Sequence, residues 1–138
     1  LRRSTLADLD ALVVAAAAMH QEEMGVDPLS VDPTWWRARM VGLIRKRWSW
    51  VWMERGEVVF KAELSALTTD VVQLQGVYTA SNRRRRGIAT FGIAALCREL
   101  FRHTHIVSLY ANQGNDPALG LYQQLGFTSF GEYATVIY

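Results

Sequence analysis

Four consecutive arginines, Arg83 to Arg86, lead into Gly87, Ile88 and Ala89. Arginine forms charge-assisted hydrogen bonds to phosphate oxygens, and residues with little side chain let a diphosphate approach the backbone closely. The residues that follow have helical spacing, and the first turn of a helix offers free N–H groups and the positive end of the helix dipole. This segment therefore predicts a loop that binds a phosphate-bearing ligand.

The loop lacks the fingerprints of two common nucleotide-binding motifs. It has a single glycine, no acidic residue at the later position that a dinucleotide site needs, and no Lys-Ser or Lys-Thr pair. A nucleic-acid-binding domain that uses the arginine run is a competing hypothesis. The other cations are scattered among 13 acidic residues and the formal net charge is only +2, so the sequence favours a small ligand and no nucleic acid.

A strand must enter this loop and a helix must leave it. Alternating apolar residues predict the strand over 71–79, and helical spacing predicts the helix over 88–102. A further apolar strand over 106–111 completes a crossover unit, which places two parallel strands side by side at mid-sheet. The phosphate-binding loop would then lie at the end of the first of these two strands.

The remaining elements follow from the same two periodicities. Thr5 followed by Asp8 has the spacing of a capping box, Asp32-Pro33 suits the start of a second helix, and Gly56 stands at a hairpin position. The full prediction is helices over 6–24, from 33, over 88–102 and over 116–126, with strands over 48–54, 58–66, 71–79, 106–111 and 127–138, the last bent or divided at Gly131. This order predicts an α+β fold.

The second predicted strand carries two charged residues among apolar ones. Val58, Phe60, Ala62 and Leu64 share one face, and Lys61 and Glu63 lie on the other. Such alternation is typical of an antiparallel strand with one side packed on the core and one side in water. We therefore expect Lys61 and Glu63 on a polar surface.

The bulk properties are those of one globular domain. The chain has 138 residues, half of them hydrophobic, and a single cysteine, Cys97, which excludes an internal disulfide and fits a reducing, cytoplasmic compartment. The apolar run over 11–19 is shorter than the ~20 residues that a membrane span needs, so no membrane association is expected. The pair His103 and His105 has no thiol or carboxylate next to it in sequence, and no metal is expected.

Two motifs together resemble a known family. Gly76-Val77-Tyr78-Thr79 followed by Arg84-x-x-Gly87-x-Ala89 is similar to the donor-binding signature of the GCN5-related N-acetyltransferases (GNAT). A second similarity lies downstream, at Asn115, Ala118, Leu121-Tyr122 and Leu125-Gly126-Phe127. The run Val59-Phe60-Lys61-Ala62-Glu63 and the general layout also resemble acetyltransferase domains at the C-terminal end of longer bacterial proteins.

The resemblance implies a fold and a division of the chain. The fold would be a mixed, mostly antiparallel sheet of six to seven strands with about four helices, in which two central parallel strands splay around the acetyl-CoA arm. Residues 1–138 would form one N-acetyltransferase domain. Residues 1–47 would be a helical region on the acceptor side, and residues 48–138 the core that binds acetyl-CoA.

The resemblance also implies the residues that bind the co-substrate. The pyrophosphate would lie on the loop and the helix start, and the pantetheine arm would bond to the backbone of the preceding strand. The residues implied are Val77, Tyr78, Thr79, Arg84, Arg85, Arg86, Gly87, Ile88, Ala89, Thr90, Asn115 and Tyr122. A backbone N–H near Val77 or Tyr78 would stabilise the oxyanion that forms when the thioester is attacked.

Two side chains are candidates for moving protons in the acetyl transfer that the resemblance implies. Tyr122 occupies the family's tyrosine position and is our candidate acid for the CoA thiolate, with a core tyrosine as the alternative. Glu63 is our candidate base, directly or through water. His20, Glu22 and Glu23 near the end of the first helix are rivals, and a chain of water molecules could also remove the proton.

The sequence leaves the acceptor open. An aminoglycoside, a polyamine, an amino acid, a protein N-terminus and a lysine side chain are all primary amines that such a site could acetylate, and Trp35 and Trp36 could line its acceptor pocket or only pack between helices. A homodimer is also left open. A catalytically inert acetyl-CoA-binding module of a larger protein is the alternative function, because the base is not identified.

Overall fold

The computed structural model describes residues 1–109 and 116–128, with side chains described from residue 120 onward in the second range. The helices are α1 (Leu9–Met24), α2 (Pro33–Arg45), α3 (Ile88–Leu100) and α4 (Asp116–Gln124). The strands are β1 (Arg2–Arg3), β2 (Ser49–Glu54), β3 (Glu57–Leu67), β4 (Val71–Thr79) and β5 (Ile106–Ser108). Apart from β1 and the predicted last strand, these bounds confirm the order of elements predicted from the sequence.

The five strands form one sheet in the order β1-β2-β3-β4-β5. The first four pair antiparallel, and β4 pairs parallel with β5 from Val71 opposite Ile106 to Gln73 opposite Ser108. The mixed sheet and the parallel pair joined through α3 are thus confirmed. The predicted six to seven strands are not matched, since the part of the chain described here holds five. Most of the predicted strand over 127–138 lies outside the described residues.

The first helix starts at a cap that also anchors the edge strand. The Thr5 N–H donates to Asp8 Oδ2 at 2.8 Å, and a turn of 3-10 helix over Leu6–Asp8 leads into α1. Arg2 donates to both carboxylate oxygens of Asp8, at 2.7 and 2.9 Å, and holds the pKa of Asp8 below its ordinary value. This contact fixes β1, which the sequence did not predict because two residues are too few to show an alternation.

The other two local signals are confirmed as well. Asp32 Oδ1 accepts a hydrogen bond from the Trp35 N–H at 3.0 Å, and Pro33 is the first residue of α2. The hairpin between β2 and β3 turns at Arg55 and Gly56, whose φ angles are 52° and 77°. Two successive residues at positive φ are the conformation that a two-residue hairpin favours.

Helices cover both faces of the sheet. The core on one side joins α1 and α2 to residues of β2, β3 and β4, namely Leu9, Leu12, Val13, Ala15, Ala16, Met40, Ile44, Val51, Val58 and Tyr78. The core on the other side joins α3 to all the strands except β1, through Trp50, Phe60, Ala62, Leu64, Val72, Leu74, Ile93, Leu96, Leu100 and Val107. The middle of the sheet is consequently covered by helices on both faces.

This arrangement corrects the prediction for β3. Lys61 and Glu63 are each only 1% exposed, not on a polar surface as expected. Phe60 and Ala62 pack toward α3, so strand alternation turns the two charged side chains toward α1 and α2. The amphipathic pattern predicts one solvent-exposed face, whereas the first two helices cover that face.

A glycine allows α3 to approach the sheet. Gly92 is buried, and a Cβ placed on it would lie 2.6 Å from Cε1 of Phe60, whose ring is completely buried. The ring has no room to withdraw, because protein interiors are packed to crystal-like density. Gly92 therefore sets the distance between β3 and the helix that follows the arginine loop.

We predict that Gly92→Ala lowers the free energy of unfolding by about 1–3 kcal/mol, through overpacking against Phe60. Gly42 in α2 supplies the control, because its Cβ would meet nothing within 4 Å, and Gly42→Ala should stabilise by about 0.5–1 kcal/mol through helix propensity. Urea unfolding monitored by tryptophan fluorescence measures both. Equal effects of the two substitutions would contradict the close contact at Gly92.

Candidate functional site

The arginine loop leads into the N-terminus of α3, where backbone N–H groups have no partner within the helix. Gly87 caps α3 in the left-handed conformation, with φ 74°, and a Cβ on it would meet no described residue within 4 Å. The first N–H of α3 to bond back into the helix belongs to Phe91, which donates to Gly87 O at 3.0 Å. The N–H groups of Ile88, Ala89 and Thr90 precede it and have no partner within the helix. An anion can approach these three donors from the open side of Gly87.

Two of the four arginines are held by carboxylates. Arg83 pairs with Glu54 at 2.7 Å and Arg84 pairs with Glu22 at 2.6 Å. Arg85 and Arg86 are exposed, and neither takes part in an ion pair within the described ranges. The loop therefore presents two unpaired guanidinium groups next to the start of α3.

Arg84 binds the end of β4 as well as α1. Its Nε donates to Thr79 O at 3.2 Å, and its guanidinium lies 5.6 Å from the centre of the Tyr78 ring. Burial raises the pKa of the Tyr78 phenol, the nearby charge of Glu22 adds to the increase, and Arg84 opposes it. Through Arg84 the structure brings together the C-terminal part of α1, the end of β4 and the loop.

The described pairing of the two parallel strands covers only the first part of β4. Their pairing stops at Gln73 and Ser108, so within the described residues the second half of β4 pairs only with β3. The Ala80 N–H donates to Val59 O at 2.9 Å, which orients Ala80 toward β3. Strand alternation then directs the backbone groups of Val77 and Thr79 away from β3. Among the described residues, nothing pairs with this edge of β4, which could receive an extended ligand.

A bulge lies midway along that edge. Glu63 is paired with Gln75 and Lys61 with Tyr78, so Gly76 and Val77 together oppose the single residue between them on β3. Gly76 has φ 60°, the left-handed conformation that recurs in bulges of this kind. A bulge redirects the strand, and here it does so at the first residues of the GNAT-like motif.

The buried charges of β3 lie against this bulge. Lys61 Nζ donates to Glu63 Oε1 at 2.7 Å and to the Gly76 carbonyl at 2.9 Å. A Cβ on Gly76 would lie 2.5 Å from Glu63 Oε1, so a larger residue here would displace the buried carboxylate from its position. Glu63 Oε2 is buried and has no hydrogen-bond partner among the described residues, and Arg39 of α2 is 3.7 Å away from it. Glu63 thus keeps one free acceptor atom in a positively charged setting.

The other candidate bases lie on α1, away from Glu63. His20 packs edge-on against Trp36, with 5.0 Å between ring centres, and Glu22 is occupied by Arg84. Glu23 is exposed. None of the three is in the buried cluster that Glu63 shares with Lys61 and Gly76.

Tyr122 lies in α4, close to the residues that follow this helix. It is partly buried and packs against Phe127, with 6.0 Å between ring centres, and Phe127 in turn packs against the α3 core. Burial raises the pKa of the Tyr122 phenol, so the hydroxyl keeps its proton at neutral pH. Asn115, the other predicted residue of this region, lies outside the described residues.

The other side chains considered for a function contact neighbouring side chains or are partly buried. Trp35 and Trp36 pack edge-on at 5.4 Å, Cys97 is half-buried on α3 and its pKa is raised by burial, and His103 is 3.9 Å from Glu99. Over residues 1–109 and 116–128 no three His, Cys, Asp or Glu side chains come together as a metal site. None of the helices in those ranges is long and apolar enough to cross a membrane.

Sequence reasoning missed Lys61 and Arg39 as members of the site. A usable signal was present for Lys61, because residues two apart on a strand share a face and Lys61 and Glu63 have opposite charges. Helices were predicted both before and after this strand, which favours burial of both faces. Arg39 offered no such signal, since its approach to Glu63 depends on how α2 packs.

The sequence matches the acetyltransferase (GNAT) family over residues 16–127. No curated protein matches it significantly.

Solved structures of similar fold include several acetyltransferases. A predicted acetyltransferase with acetyl-CoA from Clostridium acetobutylicum is 18% identical and has a TM-score of 0.73. The match covers 99% of this chain and 94% of the Clostridium chain. The ribosomal-protein-alanine N-acetyltransferase from Brucella melitensis is 25% identical and has a TM-score of 0.76. The match covers 94% of this chain and 85% of the Brucella chain. An aminoglycoside N-acetyltransferase in complex with CoA is 18% identical, with 99% and 92% coverage and a TM-score of 0.75.

The family match spans most of the chain and agrees with the strand, loop and helix arrangement around Gly87. The chain therefore belongs to the acetyltransferase (GNAT) family and is an acyltransferase.

Proposed function

We propose that this protein transfers an acetyl group from acetyl-CoA to a primary amine by direct attack within a ternary complex. The observation that carries the proposal is the helix start at Gly87, directly after a strand whose outer edge has no partner among the described residues over its second half. Two proteins of similar fold hold acetyl-CoA or CoA. These features match the two ends of the donor, a pyrophosphate and an extended pantetheine arm.

The pyrophosphate binds the N–H groups of Ile88, Ala89 and Thr90, with Arg85 and Arg86 supplying charge-assisted bonds. Arg84 shapes the loop through its bonds to Glu22 and Thr79. The pantetheine arm follows β4 and bonds to the outward backbone groups of Val77 and Thr79, while the Tyr78 ring lies under the loop. Asn115 remains in the donor site only by resemblance.

The chemical step needs a hydrogen-bond donor that stabilises the oxyanion. The neutral amine attacks the thioester carbonyl carbon, a C–N bond forms, and the carbonyl oxygen becomes an oxyanion until the C–S bond breaks. The backbone of Tyr78 is turned toward β3 by strand alternation, which leaves the Val77 N–H as the donor. A preorganised donor of this kind is worth about 3–4 kcal/mol in the transition state.

Two proton transfers complete the reaction. The attacking amine releases a proton to Glu63 through an intervening water molecule, because the carboxylate is almost fully buried and its Oε2 has a free acceptor position. Tyr122 gives its proton to the departing CoA thiolate and later regains one from solvent. The raised pKa of Tyr122 keeps this proton in place until the thiolate forms.

We predict that Gly87→Glu weakens acetyl-CoA binding by at least about tenfold, since a carboxylate would stand where the pyrophosphate binds. Gly56→Glu is the matched control, because Gly56 has nearly the same φ, 77° against 74°, and the same open surroundings. Isothermal titration calorimetry measures both. Equal affinities of wild type and Gly87→Glu would refute the donor site.

Tyr122→Phe should lower kcat by about 10²–10⁴-fold and leave acetyl-CoA affinity unchanged, because only the proton donor is removed. The rate is measured on the best acceptor from a panel of polyamines, aminoglycosides and peptides with free N-termini. Normal binding together with a full rate would remove Tyr122 from the mechanism.

A further inference from the structure

Lys61 is a buried ammonium whose bonds go to a carboxylate and to a backbone carbonyl. It is 1% exposed, and its contacts at 2.7 Å to Glu63 and 2.9 Å to Gly76 O use two of its three donors. The second contact is unusual because the carbonyl belongs to the bulge of β4, not to a helix end or a turn at the surface.

Stability alone does not account for this pair. Taking two charges out of water costs several kcal/mol per ion, and apolar side chains of similar volume usually stabilise a fold equally well or better. The site is also demanding sterically, since it admits no Cβ on Gly76. We therefore expect the bond to Gly76 O to act on the peptide group that contains this carbonyl.

The Gly76 carbonyl and the Val77 N–H belong to one peptide group. A trans peptide is planar, with its C=O and N–H pointing in opposite directions. Lys61 reaches this carbonyl from the face of the sheet that α1 and α2 cover, so its bond holds the Val77 N–H pointing away from the lysine. Strand alternation directs the same N–H toward the outer edge of β4. An ammonium on the carbonyl oxygen withdraws electron density, and hydrogen bonds in such a chain strengthen one another.

We propose that Lys61 is a positioning residue that aims and polarises the Val77 N–H as the oxyanion donor, acting through the Gly76–Val77 peptide. This inference rests on the proposed acetyl transfer and adds a residue to it. Lys61 touches neither acetyl-CoA nor the amine. Its second contact, with Glu63, holds the proposed base beside the same peptide, so that one buried ammonium organises both the donor and the proton acceptor.

The test uses acetyl-CoA labelled with ¹³C at the thioester carbonyl and bound to the whole protein. A hydrogen bond from the Val77 N–H polarises this carbonyl, so its NMR signal should move downfield when acetyl-CoA binds the wild type. Lys61→Met should keep acetyl-CoA affinity within about twofold, because the pyrophosphate contacts remain, and should lose the downfield shift. A merely structural lysine would change stability without changing this signal.

Arg39→Gln is the matched control. It removes the other cation near Glu63, at 3.7 Å, but does not touch the Gly76 carbonyl, and it should keep the downfield shift. Should Lys61→Met fail to fold because Glu63 is left as a buried charge, the double variant Lys61→Met, Glu63→Leu removes both charges and is expected to fold. It too should bind acetyl-CoA without the shift.

The outcomes separate the inference from the proposed function. Loss of the shift in the Lys61 variants alone supports the positioning role. An unchanged shift in those variants, or an equal loss in Arg39→Gln, overturns it and leaves acetyl-CoA binding intact. Binding by the wild type without any downfield shift overturns both the Val77 donor and its positioning by Lys61. Absence of acetyl-CoA binding by the wild type overturns the proposed function itself.

Discussion

Burial of the sheet on both faces is the constraint from which the candidate site follows. With α1 and α2 on one side and α3 on the other, Lys61 and Glu63 of β3 are almost completely buried. Buried charges persist only when they are paired and hydrogen-bonded. Lys61 and Glu63 meet this requirement with each other and with the carbonyl of Gly76, and Gly76 leaves the space they occupy. The ion pair, the glycine and the bulge are one packing arrangement.

The fold was largely predictable because its signals are local. Helix starts at Thr5 and Asp32, the hairpin at Gly56 and the glycine before α3 each act over a few residues, and all are found in the structure. The order of helices and strands followed from the change between two periodicities along the chain. The two GNAT-like motifs then identified the family before any contact was known.

What the sequence did not predict depends on distant parts of the chain. The edge strand β1 exists because Arg2 bonds Asp8 and pairs beside β2, and two residues carry no periodic signal. Burial of Lys61 depends on helices that come earlier in the chain, and the contact between Arg39 and Glu63 depends on the placement of α2. The length of pairing between β4 and β5 is likewise a matter of three-dimensional packing. The assigned roles of Glu63, Tyr122, Asn115 and the loop residues stay predictions.

The ion pairs of Arg83 and Arg84 change what the arginine run presents to a ligand. Glu54 and Glu22 neutralise two of its four charges, and they come from two different elements, β2 and α1. A polyanion gains affinity mainly by releasing one condensed counterion for each phosphate that a free cation neutralises. Within the described residues this loop has two unpaired arginines for that purpose, so the counterion release available at the run is about half of what its composition suggests. Its charge is matched in size to one diphosphate.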